Sequence, residues 1–157
     1  MQSLLELLSE IAKKRDLSPE LYLAELISRD LDPKDRVSIY LKIHSELLNE
    51  AEKEYADNDL VQAGEKYWGG AVVALLNAIA ELKGWEHFSH RDYAIIIERL
   101  ADEFNDDELR TLFDSVEKLH ANFCHNFLDR SGFNLRRDRA LALIKRLSEY
   151  MARLKGD

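Results

Sequence analysis

Four of the five histidines fall in two short segments, Trp85-Glu-His-Phe-Ser-His-Arg-Asp92 and Lys118-Leu-His-Ala-Asn-Phe-Cys-His-Asn126. Imidazole is the side chain that changes charge near neutral pH, so proton transfer and anion contact are the chemistry to look for. Lys118 and His125 are seven residues apart, which puts them on nearly one helical face, about 10 Å apart along the axis. Asp114, Asn122 and Asp129 share that face. Two readings are open for it. One is a site built from Lys118, Asn122 and His125. The other is a solvated face. His90 and Arg91 sit at an expected helix start, where backbone N–H groups and the helix dipole favour an anion. Arg91 there either holds phosphate or pairs with a neighbouring acid. His120 points about 140° away from His125. It follows the apolar spacing of Phe113, Val116, Phe123 and Phe127, as a hydrogen-bonded core histidine does. His44 has the same reading, and His87 is unassigned.

Other chemistries find little footing. The histidine spacings match no recognised zinc pattern, and there is one cysteine. Nothing in the sequence sets a base beside Cys124 to activate it. No glycine-rich phosphate loop is present, because Gly69-Gly70 lies inside an apolar helical stretch. Neither a metal nor a cofactor is expected. Trp68, Trp85, Tyr67 and Phe88 have the shapes that stack on bases. Beside two glycines and a helix end, core and lid packing is the preferred reading.

These groups need a scaffold, and its pattern is helical. Two prolines and six glycines leave few breakers in 157 residues. One domain's length is expected to hold a hydrophobic core. Leu4, Leu5, Leu7, Leu8 and Ile11 outline a first helix. Ser18-Pro19 and Asp32-Pro33 each mark a helix start, with proline where its missing N–H costs nothing. From Asp32-Pro33 a long helix carries apolar positions 37, 40, 41, 48, 51 and 55. The segment from about 59 to 83 is apolar around most of its circumference and belongs at the centre. Gly69-Gly70 within it implies close approach by another helix or by a second subunit. Gly84 ends it. Ser89 is the expected cap of the next helix. Asn105-Asp-Asp-Glu108 is a capping-box-like start for another. Ser131-Gly132 is expected as a turn before the last helix. No segment alternates like a strand. The short connections predict an all-α, up-and-down antiparallel bundle with about five core helices over 33–157, and a two-helix N-terminal arm over 1–32.

A net charge of −8 argues against general coating of nucleic acid. The charge is uneven. Residues 1–129 hold 14 Lys+Arg against 27 Asp+Glu, and residues 130–157 hold 8 against 3. The basic end either complements an acidic body, the preferred reading, or offers an anion surface around Arg130, Arg136, Arg137 and Arg139. No apolar run has the roughly 18 residues of a membrane helix. The acidic, amphipathic start is unlike a signal peptide, and a lone cysteine makes no internal disulfide. A cytoplasmic, non-membrane setting is expected.

Asn58-Asp-Leu-Val-Gln-Ala-Gly-Glu-Lys-Tyr-Trp68, then Gly84-Trp-Glu-His-Phe-Ser-His-Arg-Asp92, then Leu119-His-Ala-Asn-Phe123 together resemble the archaeal PaREP-type family. That family in turn resembles the HEPN superfamily of nucleotide-binding helical proteins. The resemblance covers roughly residues 33–155. It implies a helical bundle that pairs as a homodimer. It also implies a nucleotide- or RNA-binding or partner module, in a mobile-element or toxin–antitoxin setting with an antitoxin-like protein partner. Active HEPN proteins are metal-independent ribonucleases with an Arg, four to six residues, then a His. Here the spacing is met by Lys118, with six residues between it and His125, and by His120, with four between, and neither is the Arg; lysine lacks the planar fork that grips phosphate. The implied site is therefore degenerate. The alternatives are a ribonuclease using His125 with Lys118 or Arg91, and a purely structural interaction protein.

Overall fold

The structure, a computed structural model, describes residues 3–156. It is all-helical, with no strand among the described residues. The elements are α1 (Leu4–Lys14), α2 (Pro19–Ser28), α3 (Pro33–Ala56), α4 (Leu60–Glu65), a π-helical segment (Lys66–Val72), α5 (Val73–Lys83), α6 (His90–Glu103), α7 (Glu108–His125) and α8 (Arg130–Leu154). α4, the π segment and α5 run on without a break, so the described chain forms seven helical rods.

Local chemistry sets most of the starts. Ser3 and Glu6 form a reciprocal capping box at α1. Ser18 Oγ accepts from the Leu21 N–H, with Pro19 leading α2. Ser89 Oγ accepts from the Asp92 N–H at α6. Asp32 precedes Pro33 but makes no side-chain cap bond, so α3 relies on the proline and on packing.

Three helix ends differ from expectation. Ser131-Gly132 is not a turn: Asp129 Oδ1 accepts from the Gly132 N–H at 2.7 Å, so α8 begins at Arg130. Asp107 caps α7 without a side-chain bond, because its carboxylate is held by Arg110 at 2.6 Å. α7 also stops sooner than its apolar stripe suggests. Asn126 takes a left-handed conformation, and Phe127 falls outside the helix.

The π segment and α5 form the central rod, and every residue from Tyr67 to Ala80 is buried. α3 packs along both, α7 pairs with α8, and α6 lies against α7. The glycine pair explains the closeness at the centre. A Cβ on Gly70 would stand 2.6 Å from Cβ of Leu47, so α3 touches the π segment almost backbone to backbone. Another helix, rather than a second subunit, fills that space. α1 and α2 pack onto the other helices, with Ala12, Leu21 and Ala24 buried. No helix among the described residues is long and apolar enough to cross a membrane.

Candidate functional site

Trp68, buried in the π segment, carries two imidazoles near its indole. The His120 ring stacks on it at 4.2 Å and 20°, and the His90 ring at 5.4 Å and 23°. Four elements bring carboxylates and rings to this one place. Glu65 ends α4 one helical turn before Trp68. His90 opens α6, and His120 and Glu117 come from α7. Asp16 comes from the turn between α1 and α2.

His120 is not an apolar-core histidine. Its Nδ1 lies 2.9 Å from Oε2 of Glu65, and its Nε2 lies 2.9 Å from Oδ1 of Asp16. His90 shares the second carboxylate, with Nδ1 3.4 Å from Asp16 Oδ2 and Nε2 3.3 Å from Glu117 Oε1. The hydrogen bond to Glu65 raises the pKa of His120 above the usual histidine value. The charges of Glu65 and Asp16 add to this, against the opposing effect of burial. Burial in turn pushes the Glu65 carboxyl up, moderated by His120. An imidazolium that donates from both nitrogens suits this geometry, since neutral imidazole donates from only one.

Backbone geometry explains how Asp16 arrives. It ends α1 in a left-handed conformation, φ 56°, which Asp tolerates better than most residues. The Leu17 N–H reaches back to the Ala12 carbonyl at 2.9 Å and fixes the turn. Gly69 makes room for Glu65: a Cβ there would lie 3.2 Å from Glu65 Oε1. The glycine pair thus has two tasks, Gly70 for α3 and Gly69 for the carboxylate.

Asp16, Glu65 and His120 of this cluster line a cleft of about 540 Å³ between the α1–α2 turn, α3, the central rod and α7. Leu17, Leu47 and Phe123 supply apolar walls, and Gln62, Glu65 and His120 supply hydrogen-bonding groups. Among the described residues no group of His, Cys, Asp and Glu is arranged to hold a metal ion.

The sequence-predicted residues are dispersed. Lys118 and His125 are both exposed, and no hydrogen bond joins them among the described residues. Asn122 is buried, and its Oδ1 accepts from the N–H groups of Phe127 and Leu128 at 2.8 and 2.7 Å, closing the end of α7. Arg91 is exposed and makes no hydrogen bond among the described residues. His90 joins the cluster without it. His44 is half-buried, with Nδ1 2.7 Å from the Ala71 carbonyl. His87 is buried, with Nε2 2.6 Å from Glu81.

The basic end is largely bonded inward. Arg137 donates to Tyr67 and Glu52, Arg139 to Ser115, Arg136 to the Gly132 carbonyl, and Arg130 to Asn58. Sequence reasoning missed Asp16, Glu65 and Glu117. Nothing in an acidic helical sequence marks these three carboxylates out from the rest, and only the fold brings them to the rings.

Residues 39–144, more than half of the chain, match the archaeal PaREP1/PaREP8 family. No curated protein and no solved structure matches the chain.

Proposed function

The chain belongs to the archaeal PaREP1/PaREP8 family, and we propose that it is a binding module whose ligand site is the cleft beside Trp68. The ligand class this reading favours is a nucleobase, carried on a nucleoside, a nucleotide or single-stranded RNA. The observation that carries it is His120, held between Glu65 and Asp16 on the wall of that cleft. A flat heterocycle needs apolar walls and a few fixed donors and acceptors. Leu17, Leu47 and Phe123 offer the walls, and Gln62 and the Glu65 carboxylate, held in place by His120, offer the polar contacts.

Binding is favoured over cleavage on the same geometry. Both ring nitrogens of His120 already face carboxylates, so neither is free to take a proton from a ribose hydroxyl.

The finer parts of the reading are a HEPN-like up-and-down bundle and a homodimer, with a role beside an antitoxin-like protein or in a mobile element. Pairing has support in three exposed apolar side chains, Phe123, Phe127 and Leu135, around the junction of α7 and α8. Large exposed apolar groups mark contact surfaces when they lie together.

Calorimetric titration with adenosine, guanosine, their monophosphates and a short single-stranded RNA tests the site. His120→Asn weakens binding about tenfold or more, because Glu65 and Asp16 lose the group that positions them, and His125→Ala leaves it unchanged. An absence of binding across this panel contradicts the proposal. RNA cleavage in EDTA that is lost in His125→Ala replaces it with the ribonuclease reading.

A further inference from the structure

A second cavity, of about 450 Å³, lies on the other side of the α1–α2 turn. Its polar lining is dominated by three guanidinium groups, those of Arg15, Arg29 and Arg36, with the carboxylates of Glu25 and Glu81. We propose that this cavity binds a phosphate group, free or at the end of a small phosphate monoester.

The arginines come from three elements and are held by contacts that leave donors unused. Arg15 Nη1 donates to Glu25 Oε1 at 2.9 Å and Nη2 to the Phe88 carbonyl at 3.3 Å. Arg36 Nε donates to the Ser28 carbonyl at 2.8 Å, while its Nη1 stands 3.5 Å from Glu81 Oε2. Glu81 is bound more closely by His87, at 2.6 Å. Arg29 approaches Glu25 only to 3.8 Å and makes no hydrogen bond among the described residues. Two of the three guanidinium groups are thus loosely paired, beside carboxylates that are themselves mostly buried.

Charge and shape favour a compact anion. Three arginines against two carboxylates leave a local positive excess in a chain of net charge −8. The forked guanidinium presents N–H groups in the geometry that phosphate oxygens accept. The acidic surroundings repel a polyanion, so a single phosphate is favoured over a nucleic-acid backbone. All three arginines precede residue 39, where the family match begins. Its guanidinium groups thus come from the N-terminal region, while Glu81 and Phe88 of the same lining fall within the family match, and it shares no lining residue with the cleft that His120 lines.

The test is calorimetric titration of the full chain with inorganic phosphate, AMP and adenosine, in a phosphate-free buffer. Arg29→Gln is the first variant, because no hydrogen bond of the fold depends on it. Arg36→Gln is the second, and exposed Arg91→Gln is the control. Phosphate binding weakens about tenfold or more in the first two, as expected for a lost charged contact, and is unchanged in Arg91→Gln and in His120→Asn. Equal affinity for phosphate and AMP identifies free phosphate as the ligand. Tighter AMP binding that remains sensitive to Arg29→Gln identifies a monoester. No phosphate or AMP binding by the wild type, or equal binding by wild type, Arg29→Gln and Arg36→Gln, overturns the proposal.

Discussion

Nδ1 of His120 lies 2.9 Å from Oε2 of Glu65, across 55 residues of sequence. With Asp16 on the other ring nitrogen, this contact ties the α1–α2 turn to the central rod and to α7. Its energetics depend on a proton. The folded pKa of His120 is raised, so the stabilisation is fully present below the unfolded histidine value of about 6.5. It is lost as pH rises through the folded value. Raised Glu65 acts in the same direction, its share fading as pH climbs from the ordinary carboxylate range through its folded pKa. Thermal denaturation from about pH 6 to pH 9 therefore shows wild type losing stability relative to His120→Asn. Parallel curves would remove the proton from the account. Trp68 fluorescence, read in a Trp85→Phe background, should change over the same range.

The two adjacent glycines are predicted to respond differently to alanine. Gly70→Ala drives a Cβ into the Cβ of Leu47, an atom with no freedom to swing away. Overpacking of that kind costs about 1–3 kcal/mol, more than the roughly 1 kcal/mol that alanine gains in a helix. Gly69→Ala meets only the end of the Glu65 side chain. It should hold or raise stability in chemical denaturation while weakening ligand binding, because Glu65 must move. Equal losses of stability in both variants would contradict the division of tasks.

Asn122 separates a structural role from a ligand role. Asn122→Ala leaves the Phe127 and Leu128 N–H groups without their acceptor, at a cost of about 1–3 kcal/mol. Asn122→Asp keeps the acceptor and should restore most of that loss. Urea denaturation reads the difference. A large loss of ligand affinity in Asn122→Asp at wild-type stability would return Asn122 to the binding site.

Acid stability has a separate source. Burial raises the Asp106 carboxyl, but the Tyr150 hydroxyl and the Arg146 guanidinium outweigh it, leaving the pKa below the ordinary aspartate value. Its contribution is present above about pH 4 and is lost as pH falls through the folded value. The stability gap between wild type and Asp106→Asn should close as pH falls below the ordinary aspartate value and through the depressed folded one, in a denaturation series.

Much of the scaffold is legible in the residues. Ser18-Pro19, Ser89 with Asp92, and Gly84 each act where short-range chemistry puts them, because a cap depends on neighbours within a turn. The central rod is equally legible from its apolar circumference. The π segment is not, since it answers to how closely α3 can approach Gly70, a tertiary fact. The cluster is half legible. His90 and His120 lie in the two segments that draw attention first, yet spacing assigned His120 to the core. Asp16, Glu65 and Glu117 carry no local signal, because a carboxylate becomes functional through what faces it. Asn122, expected as a ligand contact, has its Oδ1 engaged by the Phe127 and Leu128 N–H groups at the end of α7.

The most direct test of the account is the affinity of wild type, His120→Asn and His125→Ala for a nucleoside and its monophosphate, measured by calorimetry near pH 6.5, where unperturbed histidine titrates. Binding that falls about tenfold or more in His120→Asn and is unaltered in His125→Ala is the predicted result. Binding that survives His120→Asn and disappears in His125→Ala would contradict it.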